Sequence, residues 1–240
     1  MNLHLVIGTP MYGGMCTSEY TQSLLNLSES ANKSDVKLTT IFLGNESLIQ
    51  RGRNTIAHHF MNLPDATHLL FIDADIKFRT EDIVKMIAAD KSLIVGPVAL
   101  KGYNWEEIRQ AAVNGEDDIG RTGGVFNINK LSGIDMVDEN TPFEIEHGGN
   151  AFMMIRRDVF ETLKPHTPIY TNGGRSLPDG VEIYDYFRVE INKDTNHLLS
   201  EDYFLCHSYR QLGGKVWCAP WVETGHFGSH LFNGKYSRNN

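Results

Sequence analysis

Leu69-Leu70-Phe71-Ile72-Asp73-Ala74-Asp75 is an apolar run that ends abruptly in two carboxylates. Four bulky apolar residues in a row fit a strand buried on both faces, as in a sheet covered by helices on each side. Two aspartates separated by one residue project to the same side of an extended segment. Carboxylates at the end of a buried strand need a compensating charge or hydrogen bonds. Hard oxygen ligands in that array suit Mg²⁺ or Mn²⁺. A turn or a helix cap after a buried strand accommodates the same residues.

Working outward from this run, strand and helix patterns alternate. A strand over 3–7 is expected to stop at Gly8-Thr9-Pro10, and a helix over 18–31 is capped by Thr17 or Ser18. A β-branched strand follows over 36–43, then a helix over 47–61, the strand over 68–72, a helix capped by Thr80, and a strand over 93–95. This order predicts an α/β fold with a mostly parallel central sheet flanked by helices. In such sheets ligands bind at the carboxyl ends of the strands. Residues 97–141, rich in Gly, Asn and Asp, read as a long irregular insertion with short strands. A strand over 152–155, a helix over 157–163, an irregular stretch over 165–199 with Gly173-Gly174, a helix capped by Ser200, and a last strand over 215–218 complete the chain.

The 240 residues suit one domain over 1–240. With 22 basic and 30 acidic residues the formal charge is −8, which argues against a nucleic-acid partner. An acidic protein that handles phosphates needs local cations, and a divalent metal is one source. Cys16, Cys206 and Cys218 are widely spaced and odd in number, so no disulfide framework or zinc ribbon is expected. The opening run is too short for a signal-peptide core, the first Lys or Arg is Lys33, and no stretch is long and apolar enough to span a bilayer. Cytoplasmic residence is the default expectation.

Further residues carry candidate chemistry. Ser200-Glu201-Asp202 opens a helix on which both acids fall near the buried side; favourable charge in a first helical turn explains them equally well. Glu223-Thr224-Gly225-His226 places an imidazole in a stretch whose glycine bends easily, so His226 is a candidate third ligand beside Asp73 and Asp75. Thr9, Pro10 and Tyr12 follow the first strand, where backbone and an aromatic ring can meet a base. Arg51-Gly52-Arg53-Asn54 offers cations and an amide; turn residues and a solvated helix face are the plainer readings of both stretches. Gly148-Gly149-Asn150 permits close approach of a sugar or a simple bend.

In this order, the early Thr-Pro-x-Tyr loop, the Arg/Asn segment, the DxD, the Gly-Gly strand, the Glu-Asp pair and the late Gly-His resemble the GT-A glycosyltransferase superfamily. They are similar to family 2-like enzymes, Anp1-type mannosyltransferases and small viral glycosyltransferase domains. The resemblance implies a Rossmann-like GT-A fold, with residues 1–96 as the nucleotide-sugar half and 97–240 as the acceptor-side and catalytic half. It implies a nucleotide-diphosphate sugar donor (UDP favoured, GDP possible), a glycan or other hydroxyl acceptor, and Mn²⁺ or Mg²⁺ held by Asp73, Asp75 and His226. Thr9, Pro10, Tyr12, Arg51, Asn54, Asp73, Ala74, Gly149 and Asn150 would bind the donor. Asp202 would be the base of an inverting enzyme, with Glu201 positioning it; in a retaining enzyme both would bind hydroxyls instead. Trp217, Trp221 and the 97–141 insertion are candidate acceptor walls.

Other classes remain in view. A haloacid-dehalogenase-type phosphatase would carry its DxD on the first strand and Thr or Val where Lys77 stands. A sugar-phosphate nucleotidyltransferase would carry a basic Gly-rich loop after the first strand, and Gly8-Thr9-Pro10-Met11 has no Lys or Arg. A non-catalytic sugar- or nucleotide-binding domain would keep the fold without needing Asp75, Asp202 and His226 together.

Overall fold

The computed structural model describes residues 3–117, 119–133, 138–173, 177–228 and 231–234. Parts of the expected irregular stretches over 97–141 and 165–199, including Gly174, lie outside the described residues. The first half alternates as expected: β1 (His4–Met11), α1 (Ser18–Lys33), β2 (Lys37–Gly44), α2 (Ile49–Met61), β3 (His68–Ile72), β4 (Ile76–Lys77), α3 (Thr80–Ala88) and β5 (Leu93–Val95). Then come β6 (Ala99–Tyr103), α4 (Trp105–Val113), α5 (Ile119–Thr122), β7 (Gly124–Phe126), β8 (Ile128–Lys130), β9 (Phe143–Gly148), β10 (Phe152–Arg156) and α6 (Arg157–Leu163). The chain continues through β11 (Ile169–Thr171), β12 (Glu182–Tyr184), β13 (Glu190–Ile191), β14 (Leu198–Leu199), α7 (Glu201–Gln211), β15 (Val216–Cys218), β16 (Thr224–Phe227) and β17 (Leu231–Gly234).

The central sheet has eight strands in the order β2-β1-β3-β10-β5-β15-β9-β8. β1 pairs in parallel with β2 and β3, and β15 with β5, but β10 lies antiparallel between β3 and β5. Four of the seven pairings are antiparallel, so the sheet is mixed, although six of its eight strands point the same way. β10 starts at the carboxyl edge, with Phe152 opposite Ile72, so it must run back the other way.

Alternation along the strands divides the core into two layers. Val6, Leu69, Phe71, Val95, Met153 and Ile155 pack with Ile56, Ala57 and Phe60 of α2, Val159 and Phe160 of α6, and Leu205 of α7. Leu5, Ile7, Leu70, Ile72, Ile94 and Met154 pack with Tyr20 and Leu27 of α1 and Ile83 and Met86 of α3. Truncating a residue such as Phe71, fully buried, to alanine would cost about 3–5 kcal/mol. At Gly8 the packing leaves no room for a side chain: an added Cβ would lie 2.5 Å from Ile56 Cγ2.

Three local differences from the sequence reading have plain causes. β1 does not stop at Gly8; it pairs with β2 through Met11, and Pro10 is accommodated because β3 leaves that flank of β1 after Gly8. Thr80 is the first residue of α3, and Arg79 holds the extended cap position. The 97–141 stretch contains α4, whose cap is Asn104 accepting the Glu107 N–H at 3.3 Å. Only Ala111 of α4 is buried, which is why its apolar pattern is faint. Among the described residues no helix is long and apolar enough to cross a membrane.

Candidate active site

Asp73 leaves the carboxyl end of β3. Its N–H donates to the Ala151 carbonyl (3.1 Å) and its carbonyl accepts from the Ile76 N–H (3.1 Å), a tight turn that sends the chain into β4. β16 pairs along β4 with His226 opposite Ile76, and the Phe227 N–H donates to the Asp75 carbonyl at 2.9 Å. This pairing carries His226 to the DxD turn from the far end of the sequence. Its Nε2 lies 3.4 Å from Asp75 Oδ2. Its Nδ1 lies 2.8 Å from the Ala99 carbonyl, an acceptor, so Nδ1 carries a hydrogen and Nε2 is the ring nitrogen that faces Asp75. Lys101 Nζ reaches the same Asp75 oxygen at 2.6 Å. Burial pushes the Asp75 carboxyl up, but hydrogen bonds from His226 and Lys101 outweigh it and hold the pKa below the ordinary value.

Asp73 has a different partner. Arg53 Nη2 donates to Asp73 Oδ1 at 3.1 Å, and Arg53 Nε donates to Glu201 Oε1 at 3.3 Å. The guanidinium also lies over the Phe71 ring, 5.3 Å from its centroid. Burial opposes the charge on Arg53, but Asp73, Glu201 and Asp202 overcome it and raise its pKa. Burial, with Asp202 alongside, pushes Glu201 up despite Arg53. The buried guanidinium therefore ties the end of β3 to the start of α7.

Asp202 is buried, and its carboxylate is held from three directions. Oδ1 accepts the Tyr203 N–H (2.8 Å) and the Ser200 hydroxyl, and Oδ2 accepts the Asn150 N–H (3.3 Å). The antiparallel course of β10 matters here, because it delivers Gly149 and Asn150 to the same edge as Asp73. The Gly149 N–H donates to the Asn127 carbonyl at 3.0 Å. A Cβ at Gly149 would lie 2.8 Å from Asn127 Nδ2. Asn127 Oδ1 in turn accepts the Tyr203 hydroxyl.

Two cavities share Asp73 and Ile49. One, of about 310 Å³, is lined by Arg53, Asn127, Gly149, Asn150, Glu201, Asp202 and His226, among others. The other, of about 530 Å³, is lined by Pro10, Tyr12, Met15, Thr17, Glu46, Ala74 and Asp75, among others. Within the first, Nη1 of Arg53 and both amide atoms of Asn150 are buried and have no hydrogen-bond partner among the described residues.

The expected residues thus fall into groups. Asp73, Gly149, Asn150, Glu201, Asp202 and His226 meet around the smaller cavity, and Pro10, Tyr12, Asp73, Ala74 and Asp75 around the larger. Asp75 and His226 come together while Asp73 turns to Arg53. No group of three or more His, Cys, Asp or Glu side chains gathers as a metal cage among the described residues. Thr9 is in the core, its hydroxyl 2.6 Å from that of Tyr20. Arg51 grips Glu46 through two hydrogen bonds, at 2.6 and 2.7 Å. Asn54 fastens the 185–187 segment, donating to Asp185 Oδ1 (2.7 Å) and accepting the Phe187 N–H (2.9 Å). Trp217 lies under Lys91, 4.2 Å from ring centroid to Nζ, and neither it nor Trp221 lines either cavity. Cys206 and Cys218 are buried free thiols, and Cys16 is exposed.

Arg53 belongs to the Arg51–Asn54 cationic segment but not to the expected donor set, and Lys101 and Asn127 lie outside every expected site. Arg53 had a signal: it lies three, four and seven residues before Ile56, Ala57 and Phe60, on the buried stripe of α2, where a charge must be paired. Lys101 and Asn127 sit in the insertion, where no periodicity marks them.

The fold and the cleft define an α/β protein with a polar site at the carboxyl edge of its sheet. No protein-family profile matches the chain, and no curated protein does. Among solved structures, the chain is similar to A197 from STIV, with 12% identity, a TM-score of 0.52, and coverage of 97% of this chain and 94% of that one. At this identity the similarity shows the shared fold. Fainter likenesses are a glycosyltransferase involved in the glycosylation of the major capsid of PBCV-1 (9% identity, TM-score 0.33, 68% of this chain and 64% of that one) and HddC from Yersinia pseudotuberculosis complexed with GMP-PN (12% identity, TM-score 0.32, 88% and 98%).

Proposed function

We propose that the protein is a metal-dependent glycosyltransferase that moves a sugar from a nucleotide-diphosphate sugar, UDP-linked in preference to GDP-linked, to an acceptor hydroxyl. The observation that carries this reading is the position of Asp73 at the junction of the two cavities. The larger, beside Pro10, Tyr12 and Ala74, suits the nucleotide, and the smaller, walled by Arg53, Asn150, Glu201 and Asp202, suits the reacting sugar. The diphosphate would lie between them, next to Asp75 and His226.

The residues fit a divalent cation. The Ala99 carbonyl fixes the Nδ1–H tautomer of His226, the arrangement usual for metal-binding histidines. Nε2, 3.4 Å from Asp75 Oδ2, would give up its proton and offer its lone pair to a cation, with Lys101 displaced from the same carboxylate oxygen. Asp75 and His226 would hold Mn²⁺ or Mg²⁺, which when bound supplies charge neutralisation for the leaving diphosphate. Asp73 would act through Arg53 and the donor rather than as a full ligand.

The protein's own groups account for the rest. Asp202, oriented by Ser200, Tyr203 and Asn150, takes the proton of the acceptor hydroxyl. The acceptor oxygen forms its bond to the anomeric carbon as the bond from that carbon to the diphosphate oxygen breaks, and the electron pair leaves with the nucleoside diphosphate. Asp202 then sheds its proton to water. This assignment is the inverting route. Arg53 holds Glu201 and Asp73 in register on either side of the sugar.

Calorimetric titration of UDP and of GDP into the protein, with Mn²⁺ and again with EDTA, tests the reading. The expected result is tight binding only with the metal and loss of that dependence in Asp75→Ala. Equal affinity in both buffers would remove the metal role, and no binding of either nucleotide would remove the transferase reading.

A further inference from the structure

The smaller cavity carries more information than its position. Its volume of about 310 Å³ lies at the low end of small-molecule sites, roughly 300–1,000 Å³, and fits one sugar ring rather than a chain. Three carboxylates, Asp73, Glu201 and Asp202, line it against one guanidinium, Arg53, which is already engaged with two of them. His226 has its Nδ1 hydrogen committed to Ala99. The lining is therefore net negative.

The unpartnered groups sharpen this. Asn150 is 1% exposed and lacks partners for both its amide oxygen and its amide nitrogen. Whichever way the amide is turned, it has one acceptor and two N–H donors to satisfy. Arg53, 3% exposed, has Nη1 to satisfy as well. A hydroxyl both accepts and donates, so a set of ring hydroxyls can meet all of these needs. A carboxylate only accepts; where it replaces a hydroxyl it removes one donor for the Asn150 oxygen and adds a fourth negative charge.

We propose that the transferred group is an uncharged hexose, selected by Asn150 and the acidic wall, and that sugars bearing a carboxylate, such as uronic or sialic acids, are turned away. The inference rests on the nucleotide-sugar reading above and specifies the sugar class for that same site. Asn150 is then a specificity-determining residue, and Glu201 and Asp202 exclude by charge as well as positioning the acceptor.

The test is calorimetric titration with Mn²⁺ of UDP, UDP-glucose and UDP-glucuronate, the last two differing only in whether carbon 6 is a hydroxymethyl or a carboxylate. UDP-glucuronate is expected to bind about tenfold or more weakly than UDP-glucose, because an unpaired like charge in a desolvated site is strongly disfavoured. In Asn150→Leu, UDP affinity should be kept while UDP-glucose loses part of its margin over the uronate, the acidic wall supplying the rest. Equal or tighter binding of UDP-glucuronate by the wild-type protein overturns the inference, and needs no variant to be folded. If UDP itself fails to bind, the underlying transferase reading falls, a result distinct from bound UDP with no discrimination at carbon 6.

Discussion

The two cavities that meet at Asp73 are built on opposite terms. The larger is open and its wall is exposed: Tyr12 and Met15 are 76% and 73% exposed, and its acids are already matched, Glu46 by Arg51 and Asp75 by Lys101. The smaller is lined by Arg53, Asn150 and Asp202, each more than nine-tenths buried, and retains hydrogen-bonding groups with no partner. An exposed ring can grip a flat base with little demand on geometry. A buried group left unsatisfied accepts only a ligand of matching pattern. On the proposed reading, affinity is supplied on one side of Asp73 and selection on the other.

The sharpest way to break this contrast is to replace the two arginines of α2 one at a time. Arg53→Met strips the buried partner from both Asp73 and Glu201, and should cost about 3–5 kcal/mol in chemical unfolding. Arg51→Met removes a pair whose arginine side chain is 38% exposed and whose Glu46 partner is 6% exposed, and should cost less, about 1–2 kcal/mol. If the two variants unfold alike, the buried network is not what joins β3 to α7.

The next effect is chemical. Asp202→Asn keeps an oxygen for the Ser200 and Tyr203 donors, gives up the acceptor for the Asn150 N–H and no longer takes a proton; it should lower turnover about 100-fold or more while UDP affinity with Mn²⁺ stays within about twofold. Steady-state rates and titration on the same preparation separate the two. Undiminished turnover would remove Asp202 as base and leave the retaining alternative.

A smaller effect is expected at Gly149. An added methyl would lie 2.8 Å from the Asn127 amide, so Gly149→Ala should displace Asn127 and cost about 1–3 kcal/mol. Asn127→Ala in the same background should recover part of that stability, because the obstructing amide is gone.

How much of this was visible beforehand divides along the same line. β3, β5 and α6 have the bounds their apolar patterns mark, and the DxD, the Glu-Asp pair and Gly149-Asn150 do converge at one edge. Residues in those stretches alternate or repeat because they face a layer of core, and that is what periodicity records. Polarity alone points to Arg51 and Asn54, and only helical phase marks Arg53; a step of two residues on α2 separates the partly exposed Arg51 from the buried Arg53. Lys101 and Asn127 carry no pattern at all. Their positions depend on β6 and the β7–β8 segment folding over the edge, a long-range placement that local sequence does not encode. The mixed sheet had the same cause: nothing within 152–156 states its direction, which is set by where the chain re-enters.

Lys101 offers the smallest effect and a direct view of the Asp75 side. Its ammonium lies 2.6 Å from Asp75 Oδ2, but the two side chains are 41% and 33% exposed, so solvent screens the pair. Such a contact is worth about 0–1 kcal/mol. Lys101 and a divalent ion would draw on the same oxygen, so Lys101→Met should bind Mn²⁺ alone about two- to fivefold more tightly, the equivalent of that energy, and Lys101→Arg should not. Acid unfolding gives an independent reading. The Asp75 carboxyl is held below its ordinary 3.8, so its ionised form stabilises the fold above that pH, and the contribution is lost as the pH falls through the lowered value. Lys101→Met raises the Asp75 pKa and forfeits part of the contribution, so the variant should melt slightly lower at neutral pH and converge with wild type in acid. Weaker Mn²⁺ binding in Lys101→Met would instead place Lys101 as a helper of the cation rather than its competitor at Asp75.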